Sequence, residues 1–366
     1  MAVATRTDVA VEHLSVSAYR VSTDAPESDG TLEWDSTTIV VVEVHAGGES
    51  GLGYTYGPTA IAALIDADLR PIIHGSNAIV PVHTTGHMCR SLRNAGHPGI
   101  AMLAVSAVDI ALWDLKAHLL DVPLADALPR VHEVVPVYGS GGFTSYSLDR
   151  LREQLGGWVA DGIPRVKMKL GREPERDPDR LDAAREAIGD DVELDVDANG
   201  AFEPKEALAW AKRYAGEWDV TWFEEPVSSG ELDGLRFVRE RAPLEVAAGE
   251  YAYAPADFRN LLGRVDCLQA DVTRCGGISG LLRVAGFAEV HALPLSGHCA
   301  PAASVHALSA APTLRHLEWF HDHVRIERMF FDGFLEPKDG ELRPDAKRPG
   351  HGLELKRQDI ERFAVG

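Results

Sequence analysis

Apolar residues follow two regimes along this chain. From about residue 130 onward, short apolar runs at 134–138, 165–170, 193–198, 221–224, 245–248, 267–270, 294–296 and 317–319 alternate with stretches of helical periodicity such as 204–214 and 278–290. Strands of this length separated by helices predict a parallel sheet, and the eight runs together predict a closed β/α barrel. The earlier part does not read as β/α units. Residues 40–44 and 52–56 flank Gly47-Gly48, a hairpin signal. Residues 100–120 carry apolar positions at Leu103, Val108, Leu112, Leu115 and Leu119, a helix that Pro123 stops. The reading is an α/β chain with an accessory domain over 1–128, a barrel over 129–331 and a final segment 332–366. That segment is rich in glycine, proline and charge, and is expected to pack back on the first domain or the barrel flank. No low-complexity linker or short internal repeat is evident.

Most of these runs close on a polar residue. Lys169, Asp197, Glu224, Glu250, Asp271, His298 and Glu318 follow one another at intervals of about 20 to 28 residues, one strand-plus-helix unit each. The carboxyl ends of barrel strands meet at one mouth, so these side chains are predicted to share a pocket. Strand alternation sends Lys167 and Lys169 into the barrel, with Asp195 inward below Asp197, and points Glu225 away from the face of Glu224. Two buried ammonium groups require carboxylates opposite, and Asp197, Glu224 and Glu250 supply them. Three crowded carboxylates repel unless a cation binds, and an oxygen-only ligand set favours magnesium, or manganese, over zinc. Asp271 on the strand next to His298 would fix the imidazole tautomer and raise its basicity, which suits a general base or acid. The pattern points to metal-assisted acid/base catalysis.

Composition narrows the partners. The 366 residues include 56 acidic and 36 basic side chains, a formal charge of -20, which argues against nucleic-acid binding and an anionic membrane surface. No run has the length of a transmembrane helix, residues 1–13 lack the apolar stretch of a signal peptide, and a cytoplasmic location is expected. Cys89, Cys267, Cys275 and Cys299 show neither metal nor disulfide spacing and read as small buried thiols.

With these residues in place the chain resembles the enolase superfamily, and within it the mandelate racemase branch. The resemblance runs from the helix Ala107-Val108-Asp109-Ile110-Ala111-Leu112-Trp113-Asp114 to Pro349-Gly350-His351-Gly352-Leu353. It implies an α+β capping domain over a TIM-like (β/α)7β barrel, with magnesium on Asp197, Glu224 and Glu250. It further implies that Lys169 of the K-M-K motif and His298, paired with Asp271, are bases on opposite faces of a carboxylate substrate. Lys167 and Glu318 would stabilise the enediolate. The muconate-lactonising and dipeptide-epimerase branch carries lysine where Asp271 stands and lacks His298. The glucarate-type branch usually has asparagine in place of Glu250, and the mannonate-type branch lacks the second lysine of K-x-K. Arg274 stands where mandelate racemase has lysine, which keeps the charge but not the hydrogen-bond geometry.

The resemblance implies a magnesium-dependent lyase that takes the α-proton of an acid sugar and eliminates the β-hydroxyl to give a 2-keto-3-deoxy acid. Racemisation or epimerisation of a 2-hydroxy acid is the second outcome, and a non-catalytic metal-binding barrel the third. A small carboxylate partner and a homo-oligomer are expected. Further substrate contacts are sought at Ser140 in the Gly139-Ser140-Gly141-Gly142 turn, at Asn199 and Arg274, and in the first domain at Trp34, Tyr54, Tyr56, Arg93 and His97. Arg172 is read as part of a loop or helix start. His321 and His323, after Glu318, could reach the pocket or be solvated, and solvation is the favoured reading.

Overall fold

The computed structural model describes residues 8–365. Residues 1–7 and Gly366, the ends of the expected first domain and final segment and most of the stretch read for a leader, lie outside the described residues.

Strands β1 (His13–Ser28), β2 (Glu33–Ala46) and β3 (Glu49–Tyr56) form an antiparallel meander. Gly47 and Gly48 close the β2–β3 hairpin with φ of 60° and 85°, the left-handed pair that a two-residue turn requires. The helix Ile100–Leu120 lies across this sheet. It can approach closely because Gly51 and Gly53 face it: a Cβ on Gly53 would sit 2.2 Å from the Ala107 carbonyl oxygen and one on Gly51 2.2 Å from that of Ala111.

The barrel strands are β4 (Val135–Gly141), β5 (Arg165–Lys169), β6 (Glu193–Asp197), β7 (Val220–Glu224), β8 (Glu245–Ala248), β9 (Cys267–Ala270), β10 (Leu295–Gly297) and β11 (Leu314–Phe320). They pair in sequence order, all parallel, and β11 returns to β4, closing an eight-stranded barrel. A helix fills each of the seven crossovers, so the architecture is the expected β/α barrel with an antiparallel cap. Inward residues form stacked layers: Trp222, Ala247 and Cys267 make a small apolar cluster, and the polar strand ends lie at the mouth.

The carboxyl-terminal segment touches both parts. Glu341–Leu342 pairs with β4, and Ala364–Val365 pairs with β1. The His351 amide donates to Asp114 Oδ1 (2.7 Å) and its ring meets the Leu52 carbonyl (2.8 Å). The cap is further joined to the barrel by Trp113 Nε1 to Ser279 Oγ (2.9 Å), Thr55 Oγ1 to the Thr273 carbonyl (2.9 Å) and Tyr54 Oη to Glu327 (2.7 Å). These buried bonds set how the cap sits over the barrel mouth.

The close contact of β3 with the long helix makes Gly53→Ala a direct test of that packing. The added methyl has no room against helix backbone, so a loss of about 1–3 kcal/mol is expected from overpacking. It should appear as a lower urea midpoint with an unchanged slope. An unshifted midpoint would contradict the assigned approach of helix and strand.

Candidate active site

Each polar residue at the mouth is placed by strand register. Lys167 and Lys169 pair with Asp195 and Asp197, and Asp197 pairs with Glu224. All five are buried. Glu250, Asp271 and His298 lie just beyond the ends of β8, β9 and β10, while Glu318 lies within β11. Lys167 Nζ reaches Glu224 Oε2 at 2.6 Å, Glu318 Oε1 at 2.9 Å and Asp197 Oδ2 at 3.5 Å, as ion pairs. Lys169 Nζ lies 2.5 Å from Asp197 Oδ2. His298 Nδ1 lies 2.7 Å from Asp271 Oδ2, whose other oxygen accepts from Thr273 N and Oγ1, both at 2.7 Å. His298 Nε2 faces Glu250 Oε2 (3.3 Å) and Glu318 Oε2 (3.4 Å). Arg274 is tied to the same group through Asp271 Oδ2 (3.2 Å) and the Glu250 carbonyl (3.1 Å).

These contacts govern the ionisation. Burial alone would neutralise Lys167, but Glu224 and Glu318 hold its ammonium well above the usual range. Lys169 is raised in the same way, with Asp197 overcoming burial. Burial pushes the Glu224 carboxyl up to about 8, opposed by Lys167 and assisted by Asp197. Burial likewise opposes ionisation of Glu250 and Glu318, yet His298 and Arg274 hold the first below the carboxylate range, and Lys167 and His298 the second. His298 is raised despite burial by Glu250, Glu318 and Asp271, which favours its imidazolium.

A cavity of about 610 Å3 opens over this group between cap and barrel. Lys169, Glu250, His298, Glu318, Asn199 and Arg274 line it from the barrel, and Trp34 from the cap. Lys167, Asp197, Glu224 and Asp271 are buried around the mouth. Other candidates lie elsewhere. Ser140 is buried and donates to Glu318 Oε1 (2.6 Å), so it orients a carboxylate and does not line the cavity. Tyr54 is wholly buried against Glu327. Tyr56 lies behind the cavity wall, stacked on His323. Arg93 is exposed on the cap, and His97 faces the Cys89 carbonyl (2.9 Å) in a separate cleft with Phe258 and Cys275.

Two orientations differ from expectation. Glu225 is buried beside the carboxylates, its ionisation suppressed by burial and by Glu250 and Asp197. Alternation does not apply there, because β7 ends at Glu224 and Glu225 has φ of 38°. His323 is buried and lines the cavity instead of meeting solvent, since the helix His321–Phe330 begins directly after β11 and turns its first residues under the cap. His321 is half-buried against Asp24 (3.1 Å). Arg172 does lie in a loop, where it bonds the Leu32 carbonyl (3.1 Å) and Glu33 (2.8 Å). Sequence reasoning missed Cys299, Phe320, Thr37 and Thr38 on the cavity wall. The first two adjoin His298 and Glu318 in sequence and were findable; the threonines face the cavity only because the cap closes over it.

The donor set fits a hard divalent cation. Asp197, Glu224 and Glu250 each offer a carboxylate oxygen within 4.8 Å of the others. Glu224 Oε1 is buried with no hydrogen-bond partner among the described residues, a costly state that a cation at that oxygen relieves. Glu224 and Glu225, whose ionisation burial and their acidic neighbours suppress, are the carboxyl groups that a cation held at the mouth would let ionise.

Comparison with known proteins agrees with this architecture. Residues 18–128 match the mandelate racemase / muconate lactonizing enzyme N-terminal domain, and residues 150–360 the enolase C-terminal domain-like family. The chain is 32% identical to the 3,6-anhydro-alpha-L-galactonate cycloisomerase of Streptomyces coelicolor, over 97% of this chain and 100% of the relative. It is 31% identical to the L-talarate/galactarate dehydratase of Salmonella typhimurium, over 83% and 77% respectively. Among crystal structures, a mandelate racemase/muconate lactonizing enzyme-like protein from Rubrobacter xylanophilus superposes with a TM-score of 0.96 at 59% identity, covering 97% of this chain and 100% of that one. A racemase from Streptomyces coelicolor with bound magnesium gives 0.91 at 32%, with the same coverage. The chain is thus a member of the mandelate racemase / muconate lactonizing enzyme family of the enolase superfamily.

Proposed function

We propose that this protein is a magnesium-dependent lyase that removes the α-proton of a sugar-acid carboxylate and expels the β-hydroxyl as water, leaving an enol that becomes a 2-keto-3-deoxy acid. The observation that carries this reading is the placement of Lys169 and His298 on one cavity. Their strands, β5 and β10, are three steps apart one way round the barrel and five the other, with Asp197, Glu224 and Glu250 at the ends of strands on the longer arc. Relatives named as a 3,6-anhydro-alpha-L-galactonate cycloisomerase and an L-talarate/galactarate dehydratase support a sugar-acid substrate class, and the second supports loss of water.

Asp197, Glu224 and Glu250 would hold magnesium, which supplies positive charge against the substrate carboxylate as negative charge develops there. Lys169 would take the α-proton as the neutral amine, a form it can reach once magnesium engages Asp197, the carboxylate that otherwise holds it as an ammonium. Lys167, fixed between Glu224 and Glu318, faces the growing charge with an ammonium that its neighbours keep protonated. His298, held in one tautomer by Asp271 and stabilised as the imidazolium, gives its Nε2 proton to the departing oxygen. Electrons from the broken α-C–H bond form the enol double bond, and those of the β-C–O bond leave with water. A racemase would use the same two groups to return the proton on the opposite face.

Glu250→Gln should weaken magnesium binding at least about tenfold, because one of three charged oxygen ligands is lost. Calorimetric titration of the purified protein measures this, and unchanged affinity would remove Glu250 from the ligand set. A screen of mono- and diacid sugars with magnesium tests the reaction, followed by keto-acid formation and by deuterium entering the α-carbon. Keto acid is expected; exchange without keto acid would replace the lyase with the racemase. On an active substrate, both Lys169→Ala and His298→Asn should abolish turnover, with His298→Asn retaining exchange that Lys169→Ala loses. The reverse pattern would exchange the roles of base and acid.

A further inference from the structure

His323 has no part in the chemistry above, yet it is one of the most firmly held side chains on the cavity wall. It is 7% exposed and lines the cavity with His298, Cys299, Glu318 and Phe320. One face of its ring stacks on Tyr56 of β3 at 3.5 Å between centroids and 12° between planes, and Phe320 meets it edge-on at 5.1 Å. Tyr56 is in turn bonded to Glu327 (3.3 Å). A ring clamped in this way has little rotational freedom left to lose on binding.

The hydrogen bonding fixes which nitrogen carries the proton. The Ala300 amide donates to His323 Nδ1 (3.4 Å), so Nδ1 must be the unprotonated acceptor and Nε2 the N–H. Nε2 has no hydrogen-bond partner among the described residues, and it is not among the buried unpartnered atoms, so it opens on the cavity. Burial pushes the ring down to about 3, helped by His298 and Arg274 and opposed by Asp271 and Glu318, which agrees with a neutral side chain. Because Tyr56 belongs to the cap, His323 stands on the cap side of the cavity, above the carboxylates and lysines of the barrel mouth.

We infer that His323 is a specificity residue whose Nε2–H donates a hydrogen bond to an uncharged oxygen, a hydroxyl or ring ether, that the substrate carries beyond its β-carbon. A neutral donor with no lone pair to offer at that nitrogen selects an acceptor. It rejects an analogue with hydrogen at that position, because the buried N–H would be left unpaired. The inference rests on the reaction proposed above for the identity of the ligand, and it extends that reading to the part of the substrate that does not react.

The test uses the magnesium-loaded protein and three probes: galactarate and D-galactonate, which bear oxygens beyond the β-carbon, and D-glycerate, which bears none. His323→Phe keeps the ring stack and removes the donor. Its kcat/KM for α-deuterium exchange should fall about tenfold for the two long probes and stay within about twofold of the wild type for glycerate. His323→Asn, which keeps an N–H, should fall between the two and serves if the phenylalanine variant does not fold. With 15N-labelled histidine, the signal missing from the variants should report the Nε2–H tautomer throughout pH 6 to 9, and it should shift on addition of millimolar galactarate. Equal loss on all three probes, the Nδ1–H tautomer, or a signal that galactarate leaves unmoved would overturn the inference. If the wild type exchanges no probe, the proposed reaction fails, while the tautomer and the galactarate shift still decide the role of His323.

Discussion

Lys167 is the charge around which the mouth is organised. Its ammonium is 1% exposed, lies over the Tyr138 ring at 5.3 Å, and contacts Glu224, Glu318 and Asp197 at once. Removing one partner from a buried ion pair costs about 3–5 kcal/mol, because the other charge is left uncompensated. The arrangement is therefore cooperative: the lysine keeps Glu318 ionised, and the carboxylates keep the lysine protonated. Glu224 Oε1, without a hydrogen-bond partner among the described residues and grouped with oxygens of Asp197 and Glu250, then leaves a place for a divalent ion. Strand register is what permits this, since a one-residue slip of β5 would turn both lysines out toward the helices.

The cap has a different task. Its strands supply no acid or base, but Trp34, Thr37 and Thr38 complete the wall of a cavity that would otherwise be an open barrel mouth. Trp34 is held by its indole N–H on Glu27 (2.7 Å), a carboxyl that burial, with Asp322 beside it, pushes up to about 8. Thr37 bonds Asp322 on the helix that also carries His323. On the proposed reading, the acid and base groups lie on the barrel strands, and the residues that would discriminate among substrates lie along the seam with the cap.

Much of this was legible in the sequence, for definite reasons. Strand-helix alternation gave the barrel, and period-two alternation within β5 and β6 placed Lys167, Lys169, Asp195 and Asp197 inward, because a closed parallel barrel leaves few ways to orient such strands. The rule failed one residue past a strand, at Glu225, where the backbone turns left-handed. It carried no information about how the cap meets the barrel. Tyr54 and His97 are aromatic and near the right segments, yet the first is buried on β3 against Glu327 and Phe331 and the second faces a different cleft. Nothing in the sequence decides between pocket and solvent for His323, and the stacking of a cap tyrosine on its ring accompanies its place on the cavity wall.

The most direct measurement of the central claim is crystallographic: grow crystals with manganese in place of magnesium and collect anomalous diffraction at the manganese edge. The account predicts one strong peak bounded by Asp197, Glu224 and Glu250, within about 2.3 Å of a carboxylate oxygen from each. No peak there, or a peak instead among His298, Cys299 and Glu318, would contradict a mouth built around a cation on the three carboxylates.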